Sequence, residues 1–298
     1  MMNRKSILIG GIYFLLFLLL FFAFMFWTSR LIGGGQGAAW GAGDRIALIR
    51  IEGVIADSKT VVEDLRRYHR DDSIKAILIR IDSPGGAVVP SQEIYDEVKR
   101  IRDAGKKRIV TSMGTVAASG GYYIAAASEK IIANPGTLTG SIGVIMELVN
   151  VEGLLQKIGV EGVVIKSGEN KDVGSPFRKM TEEERALLKN VMDDVHAQFI
   201  EAVAEGRSLK IETVRPYADG RIFTGRQAKE IGLVDELGNL QDAIQRTAEL
   251  AGIEGEPQTV ERQERSTLFE FLQNRFLGKW EGARFPGASV RLNYLFSL

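Results

Sequence analysis

The segment Ala117-Ala118-Ser119-Gly120-Gly121-Tyr122-Tyr123 sets one serine hydroxyl among backbone N–H groups at a small-residue turn that opens a short apolar helix. A strand, Arg108 to Met113, leads into it, and the glycines beyond allow a substrate backbone to come close, as nucleophile turns between strand and helix require. By itself the motif also fits a plain serine-capped helix start. Serine is a weak nucleophile and needs an adjacent base. The chain has two histidines. His69 lies in the charged helix end Arg66-Arg67-Tyr68-His69-Arg70-Asp71-Asp72, and His196 lies beside the apolar stripe of a long helix, so a Ser-His-Asp triad is disfavoured. Lysine takes the place of histidine when its pKa falls from about 10.4 to near 7 or 8, as apolar surroundings allow. The preferred candidate is Lys171, in the loop Lys166-Ser167-Gly168-Glu169-Asn170-Lys171-Asp172 ahead of Ser175-Pro176. Alone, a lysine in a polar loop reads as surface. Acyl transfer also needs N–H donors for an oxyanion. Gly86, in Asp82-Ser83-Pro84-Gly85-Gly86, and Gly120, next to the serine, offer them. Thr137-Leu138-Thr139-Gly140-Ser141-Ile142-Gly143 reads as a hydroxyl- and glycine-rich loop after the nucleophile helix, one of whose hydroxyls could hold a neutral lysine amine.

These residues sit on an alternation of strands and helices. Strands are expected at Arg45 to Ile51, Ile74 to Ile81, Arg108 to Met113, Lys130 to Ala133, Gly143 to Val149 and Val160 to Ile165. Helices are expected at Lys59 to Arg70, Ser91 to Asp103 and Ser119 to Ala127. Such an order argues an α/β fold with a mostly parallel sheet. Thr181 and Glu184 form a capping box for a long amphipathic helix to Glu205, with Leu188, Val191, Met192, Val195, Phe199 and Val203 as its stripe. Shorter helices follow at Gly225 to Ile231 and Leu240 to Ala251. The tail beyond, with Phe269, Phe271, Phe276, Trp280 and Phe285, has no clear period and is expected to be disordered or to dock on a neighbour.

Lys+Arg and Asp+Glu are equal at 38 each, so no basic stripe points to nucleic acid, and the absence of cysteine excludes disulfides, thiolate metal sites and a cysteine nucleophile. Ser6 to Trp27 carries no charge and would run about 33 Å as a helix, against a hydrocarbon core of about 30 Å. With Arg4 and Lys5 before it, a single span would hold the N-terminus in the cytoplasm and place the rest on the outer face of the cell membrane. A cleaved signal peptide is the competing reading, but its apolar region is shorter. Gly33 to Gly41 reads as a linker, whose loose G-x-G-x-x-A match follows a membrane span rather than a strand and is discarded as a dinucleotide loop. The expected organisation is therefore an anchor over 1–30, a Gly-rich linker over 31–43, a catalytic domain over 44–252 and a tail over 253–298.

Taken together, D-S-P-G-G at Asp82 to Gly86, A-A-S-G-G-Y-Y at Ala117 to Tyr123, T-L-T-G-S-I-G-V at Thr137 to Val144 and K-S-G-x-x-K-D at Lys166 to Asp172 resemble the signal peptide peptidase A family, in its short membrane-anchored form. The resemblance runs from about Arg45 to Ala251. Asp219-Gly220-Arg221, Thr224-Gly225-Arg226-Gln227-Ala228 and Gly232-Leu233-Val234-Asp235 fit the family's C-terminal part. It implies a crotonase-like or Clp-protease-like fold and a Ser/Lys dyad, with Ser119 as nucleophile and Lys171 as base. Gly86 and Gly120 would be the oxyanion donors and Ser141 the residue that orients the lysine. It further implies ring-shaped homo-oligomers, in which the lysine can come from a neighbouring subunit, and hydrophobic peptide substrates such as remnant signal peptides. No metal or other cofactor is expected. The rivals are a peptidase dedicated to one membrane protein, a crotonase-like acyl-CoA enzyme, which would not need Ser119 with Lys171, and a non-catalytic membrane scaffold.

Overall fold

The computed structural model describes residues 14–25, 44–262 and 293–295. The chain divides into two compact units, Met1–Gly43 and Asp44–Leu298. In the first, residues 14–25 form helix α1. Among the described residues no helix is long and apolar enough to cross a membrane. The expected span is thus described only in part, and the Gly-rich linker lies outside the described residues.

The second unit is built on strands buried on both faces. In β2 (Ile74–Ser83), Ile77, Ile79 and Ile81 point to one side and Ala76 and Leu78 to the other, all without solvent exposure. Apolar side chains on both faces are what a central parallel strand needs. β2 pairs in parallel with β1 (Arg45–Glu52) on one edge and with β4 (Arg108–Ala118) on the other. β4 is long enough to fork. Its Val110–Met113 stretch pairs with β5 (Lys130–Ala133), and its Val116–Ala118 end pairs with β6 (Leu138–Gly140). The eight-stranded sheet is completed by β7 (Ile222–Thr224), antiparallel to β6, by β8 (Glu236–Leu237) beside β5, and by β9 (Gln258–Glu261), parallel to β1. A separate two-stranded sheet joins β3 (Gly85–Ala87) to β10 (Asn293–Leu295).

One sheet face is covered by α2 (Lys59–Arg70), α3 (Val88–Ala104), α4 (Gly120–Ala126) and the latter half of α6 (Glu182–Gly206). α9 (Leu240–Ala251) covers the other, over Ile46, Leu48, Leu78, Val110 and Ile132. α6 begins with the expected box: Thr181 accepts from the Glu184 N–H, and Glu184 accepts from the Thr181 N–H. Short helices α5 (Glu152–Lys157), α7 (Ile211–Val214) and α8 (Gly225–Glu230) complete the unit.

Two expected strands do not form. Residues 143–149 hold only an isolated bridge position and 160–165 are irregular, with α5 between them. Val163 is 80% and Ile165 97% exposed. Their apolar character signalled burial, but among the described residues they pair with no strand of the sheet, and the edge beyond β6 is taken by β7. The tail is also corrected in part: β9 and β10 both dock on the chain's own strands, while 263–292 lie outside the described residues.

α4 is locked by aromatic contacts. The Tyr123 ring lies 4.9 Å from both the Tyr95 and the Phe199 rings, and the Tyr122 hydroxyl donates to the Leu233 carbonyl at 2.9 Å. Phe199 is fully buried, so Phe199→Ala is expected to cost about 3–5 kcal/mol in urea denaturation. A loss below about 1 kcal/mol would mean that α6 does not clamp α4.

Candidate active site

β4 passes into α4 with one residue between them, Ser119. At that residue the backbone turns to φ 52°, ψ −118°, a conformation that costs a non-glycine residue of order 1–3 kcal/mol and persists only where neighbours hold it. Two hydrogen bonds do so. The Ser119 N–H donates to the Gly140 carbonyl at 2.8 Å, and the Ser119 carbonyl accepts the first helical bond, from Tyr123 N–H, at 2.8 Å. Gly121 lets α4 lie close to β2, since a Cβ there would stand 3.1 Å from the Ser83 carbonyl oxygen. Ser119 is fully buried, and its Oγ has no hydrogen-bond partner among the described residues. The N–H of Gly120, in the first turn of α4, has no intrahelical acceptor.

Gly86 is brought to the same end of the sheet. The Ser83 hydroxyl accepts the Gly85 N–H at 3.0 Å and shapes the turn after β2, while Ser83 itself stands in register with Ala117. Ile55 then approaches: its N–H donates to the Gly85 carbonyl at 2.9 Å and its carbonyl accepts from the Ala87 N–H at 2.8 Å. A Cβ on Gly86 would lie 2.2 Å from the Ile55 oxygen, so only glycine fits. Since the main-chain groups of successive strand residues point to opposite edges, the N–H of Gly86 faces away from Ile55.

Ser141 follows Gly140, the Ser119 partner, and has φ 51° with its N–H bonded to the Arg221 carbonyl at 2.8 Å. The two threonines of the same segment have other duties. Thr137 Oγ1 donates to the Gly114 carbonyl and Thr139 Oγ1 to the Ala117 carbonyl, each at 2.7 Å. They stitch β6 to β4, which leaves Ser141 as the segment's available hydroxyl. The hydroxyl-rich segment read from sequence as a loop is therefore a short strand.

Lys171 lies elsewhere in the chain's own arrangement. It is exposed, in a 3₁₀ turn over Glu169–Asp172, and because Ser119 Oγ has no partner among the described residues, the two do not bond within one chain. The turn is nevertheless well held. Asp172 accepts from Lys166 Nζ at 2.6 Å and from Arg178 Nε at 2.8 Å, and Arg178 also donates to Glu184 at 2.9 Å. The Arg178 and Lys166 donors hold the Asp172 carboxyl well below the usual range, and Arg178 with the Thr181 N–H pulls Glu184 down to about 2. This chain of charges ties the Lys171 turn to the capped start of α6.

Neither histidine is bonded to Ser119. His69 sits at the end of α2, where Lys107 donates to the neighbouring Tyr68 carbonyl at 2.7 Å. Lys107 precedes β4, and eleven residues of strand separate it from Ser119, roughly 35 Å. Asp82 is the site residue whose role the sequence did not disclose. Its carboxylate accepts the Val116 N–H at 3.0 Å and packs where a Cβ on Gly114 would come within 2.6 Å, so it clips β2 to the approach to Ser119. Among the described residues no cluster of His, Cys, Asp and Glu could hold a metal ion.

This architecture agrees with what the chain is similar to. The sequence profile of Peptidase family S49 matches residues 101–254, and that of Clp protease matches residues 44–137. The chain is 49% identical over 212 residues to the "Putative protease slr0021" of Synechocystis sp., covering 70% of this chain and 76% of that protein. It is 38% identical over 213 residues to the "Putative signal peptide peptidase SppA" of Enterococcus faecium, covering 67% and 62%. With the chloroplastic "Serine protease SPPA" of Arabidopsis thaliana it shares 34% over 232 residues, 73% of this chain but 33% of that longer protein. A Clp-protease-like α/β domain with a mostly parallel sheet, a serine at the strand–helix junction and these likenesses lead to one assignment: the chain belongs to peptidase family S49, the signal peptide peptidase A family, and is a serine-type peptidase.

Proposed function

We propose that this peptidase is a membrane-anchored endopeptidase that cuts hydrophobic peptides, remnant signal peptides above all, with Ser119 as nucleophile and Lys171 as base. The Ser119 hydroxyl carries the proposal. A buried hydroxyl without a partner costs about 1–3 kcal/mol, and such a group is retained where chemistry needs it. Ser119 also sits on strained backbone at the end of the sheet where Gly86 and Ser141 lie. An uncharged Lys171 amine takes the Ser119 proton as Oγ attacks the scissile carbonyl carbon. The N–H groups of Gly86 and Gly120 hold the oxyanion, Ser141 orients the amine, and the protonated amine gives its proton to the leaving nitrogen. The same amine then deprotonates the water that hydrolyses the acyl-enzyme.

The base comes from a second copy of the chain in a ring-shaped homo-oligomer. Support for this lies in the segment that carries Lys171. Val149, Leu154, Ile158, Val163 and Ile165 are all exposed there, an apolar surface that association would cover. Covering it would also bring the turn held by Arg178 and Asp172 against another subunit. The anchor is the uncharged Ser6–Trp27 segment, with the N-terminus cytoplasmic and the catalytic unit on the outer face of the cell membrane. A site tethered there meets apolar peptides as they leave the bilayer, and the Enterococcus relative's name points to the same substrates.

Hydrolysis of an apolar peptide should be lost in both Ser119→Ala and Lys171→Ala. Co-expressing the two variants separates a shared dyad from one within a chain. With random mixing, roughly a quarter of the sites pair an intact serine with an intact lysine from a neighbour, and activity returns to that level. A mixture as inactive as its parents would refute the shared dyad. Arg178→Ala should lower kcat about a hundredfold by releasing the Lys171 turn, and an unchanged kcat would show that the charge network does not position the base. Because Asp172 and Glu184 are depressed, the network is complete above the ordinary glutamate value of 4.5 and is lost as pH falls towards about 2. Protection of the amides in residues 166–172, taken relative to their intrinsic exchange rate at each pH, should therefore hold from pH 8 to 5 and fall only below that. Loss of that protection near neutral pH would contradict the assignment.

A further inference from the structure

Ser119 lies at one end of the sheet, and a cationic cavity of about 700 Å³ lies at the other. It is lined by His69 and Arg70 at the end of α2, by Asp72 and Lys75 beside the start of β2, and by Lys106 and Lys107 ahead of β4. Lys107 is built into it. This lysine is only 8% exposed, and its ammonium donates to the Tyr68 carbonyl at 2.7 Å and to the Asp71 carbonyl, where α2 ends. It thereby offsets the negative end of that helix and keeps a third N–H. His69 Nδ1 is buried with no partner among the described residues. Arg70 and Lys106 are exposed, and among the described residues no ion pair engages them. Few anions stand against these groups. The Asp71 carboxylate is turned to the Ser73 N–H, at 2.9 Å, and to the Ser73 hydroxyl, while Asp44 pairs with Lys75 at 3.5 Å. That leaves Asp72, so the overall balance of 38 acidic and 38 basic residues conceals a positive end.

We infer that this cavity docks the catalytic unit on the phosphate groups of an anionic lipid surface. This rests on the membrane anchor proposed above. The chain enters the unit at this end: β1 starts at Arg45, whose N–H donates to the Ser73 carbonyl at 3.3 Å, just before Lys75. Sixteen residues, 28–43, separate Trp27 from Asp44, and a glycine-rich chain of that length spans about 22 Å on average. An anchored chain therefore meets headgroup phosphates at high effective concentration, without a separate encounter. Arg70 offers a fork to two phosphate oxygens, and Lys75, Lys106 and Lys107 add point charges around it. Docking points β4 away from the headgroups. Ser119, roughly 35 Å along that strand, then stands clear of them, and a peptide has to leave the bilayer before it reaches the nucleophile.

The full chain, inserted through its own anchor into nanodiscs of phosphatidylcholine alone or with about one third phosphatidylglycerol, tests this. Amide exchange in residues 69–75 and 105–108 should be about tenfold slower on the anionic discs, and the difference should vanish in about 1 M salt, where charges are screened within about 3 Å. The double substitution Arg70→Glu with Lys106→Glu should abolish it as well, while hydrolysis of a peptide in detergent, which reports an intact fold, is unchanged. Equal exchange on the two discs would overturn the inference, as would a slowing that survives the double substitution. Slowing by inorganic phosphate on neutral discs, with none from anionic lipid, would also overturn it, since the cavity would then hold a free anion. A chain that enters neither disc would strike the anchor instead. Sedimentation of the same full chain with anionic and with neutral vesicles would then decide the role of this end: binding to anionic vesicles that the double substitution abolishes supports it, and equal binding to both overturns it.

Discussion

Everything at this site depends on a strand becoming a helix without a loop. β4 ends at Ala118, α4 begins at Gly120, and the residue between them must take a left-handed backbone that L-amino acids avoid. That conformation is held from several directions. The Gly140 carbonyl fixes the Ser119 N–H, Tyr122 and Tyr123 anchor the helix that follows, and Asp82 clips the strand that precedes. The strain is thus a cost that the packing around it offsets, and its product is a hydroxyl lifted out of both the strand ladder and the helix.

The surrounding elements make sense as supports for that hydroxyl. The fork of β4 lets β5 continue the core while β6 brings Gly140 and Ser141 beside Ser119. The turn after β2 brings Gly86 to the same end, and the approach of Ile55 both excludes a side chain there and aims the Gly86 N–H outward. One glycine serves two needs, and packing alone would require it. The edge that faces outward is the one β10 occupies.

Much of this was legible in the residues. β2 carries the apolar run Ala76–Ile79 at its centre, α6 announces itself by Thr181 and Glu184, and the small residues around Ser119 mark a turn that only a special backbone uses. Other parts were not. An apolar run such as 160–165 reports that something is to be covered but not what covers it, and its strand-like pattern finds no partner in the sheet among the described residues. β6 has three residues, too few for a period, and its hydroxyls resemble a loop until Thr137 and Thr139 are seen bonded to β4. Asp82 looked like part of a glycine turn, because a side chain bonding a backbone N–H more than thirty residues away leaves no local pattern. β10 was hidden for a similar reason: its partner, Gly85–Ala87, is itself an atypical glycine-rich strand.

The most direct test of the account is to ask which atom is acylated. An apolar peptidyl β-lactone opens on an activated serine and leaves an ester, which can be mapped by peptide mass spectrometry on the full chain. The account predicts a single adduct on Ser119 that fails to form in Lys171→Ala. An adduct on another hydroxyl, or hydrolysis of peptide while Ser119 stays unmodified and the lactone is consumed, would contradict it.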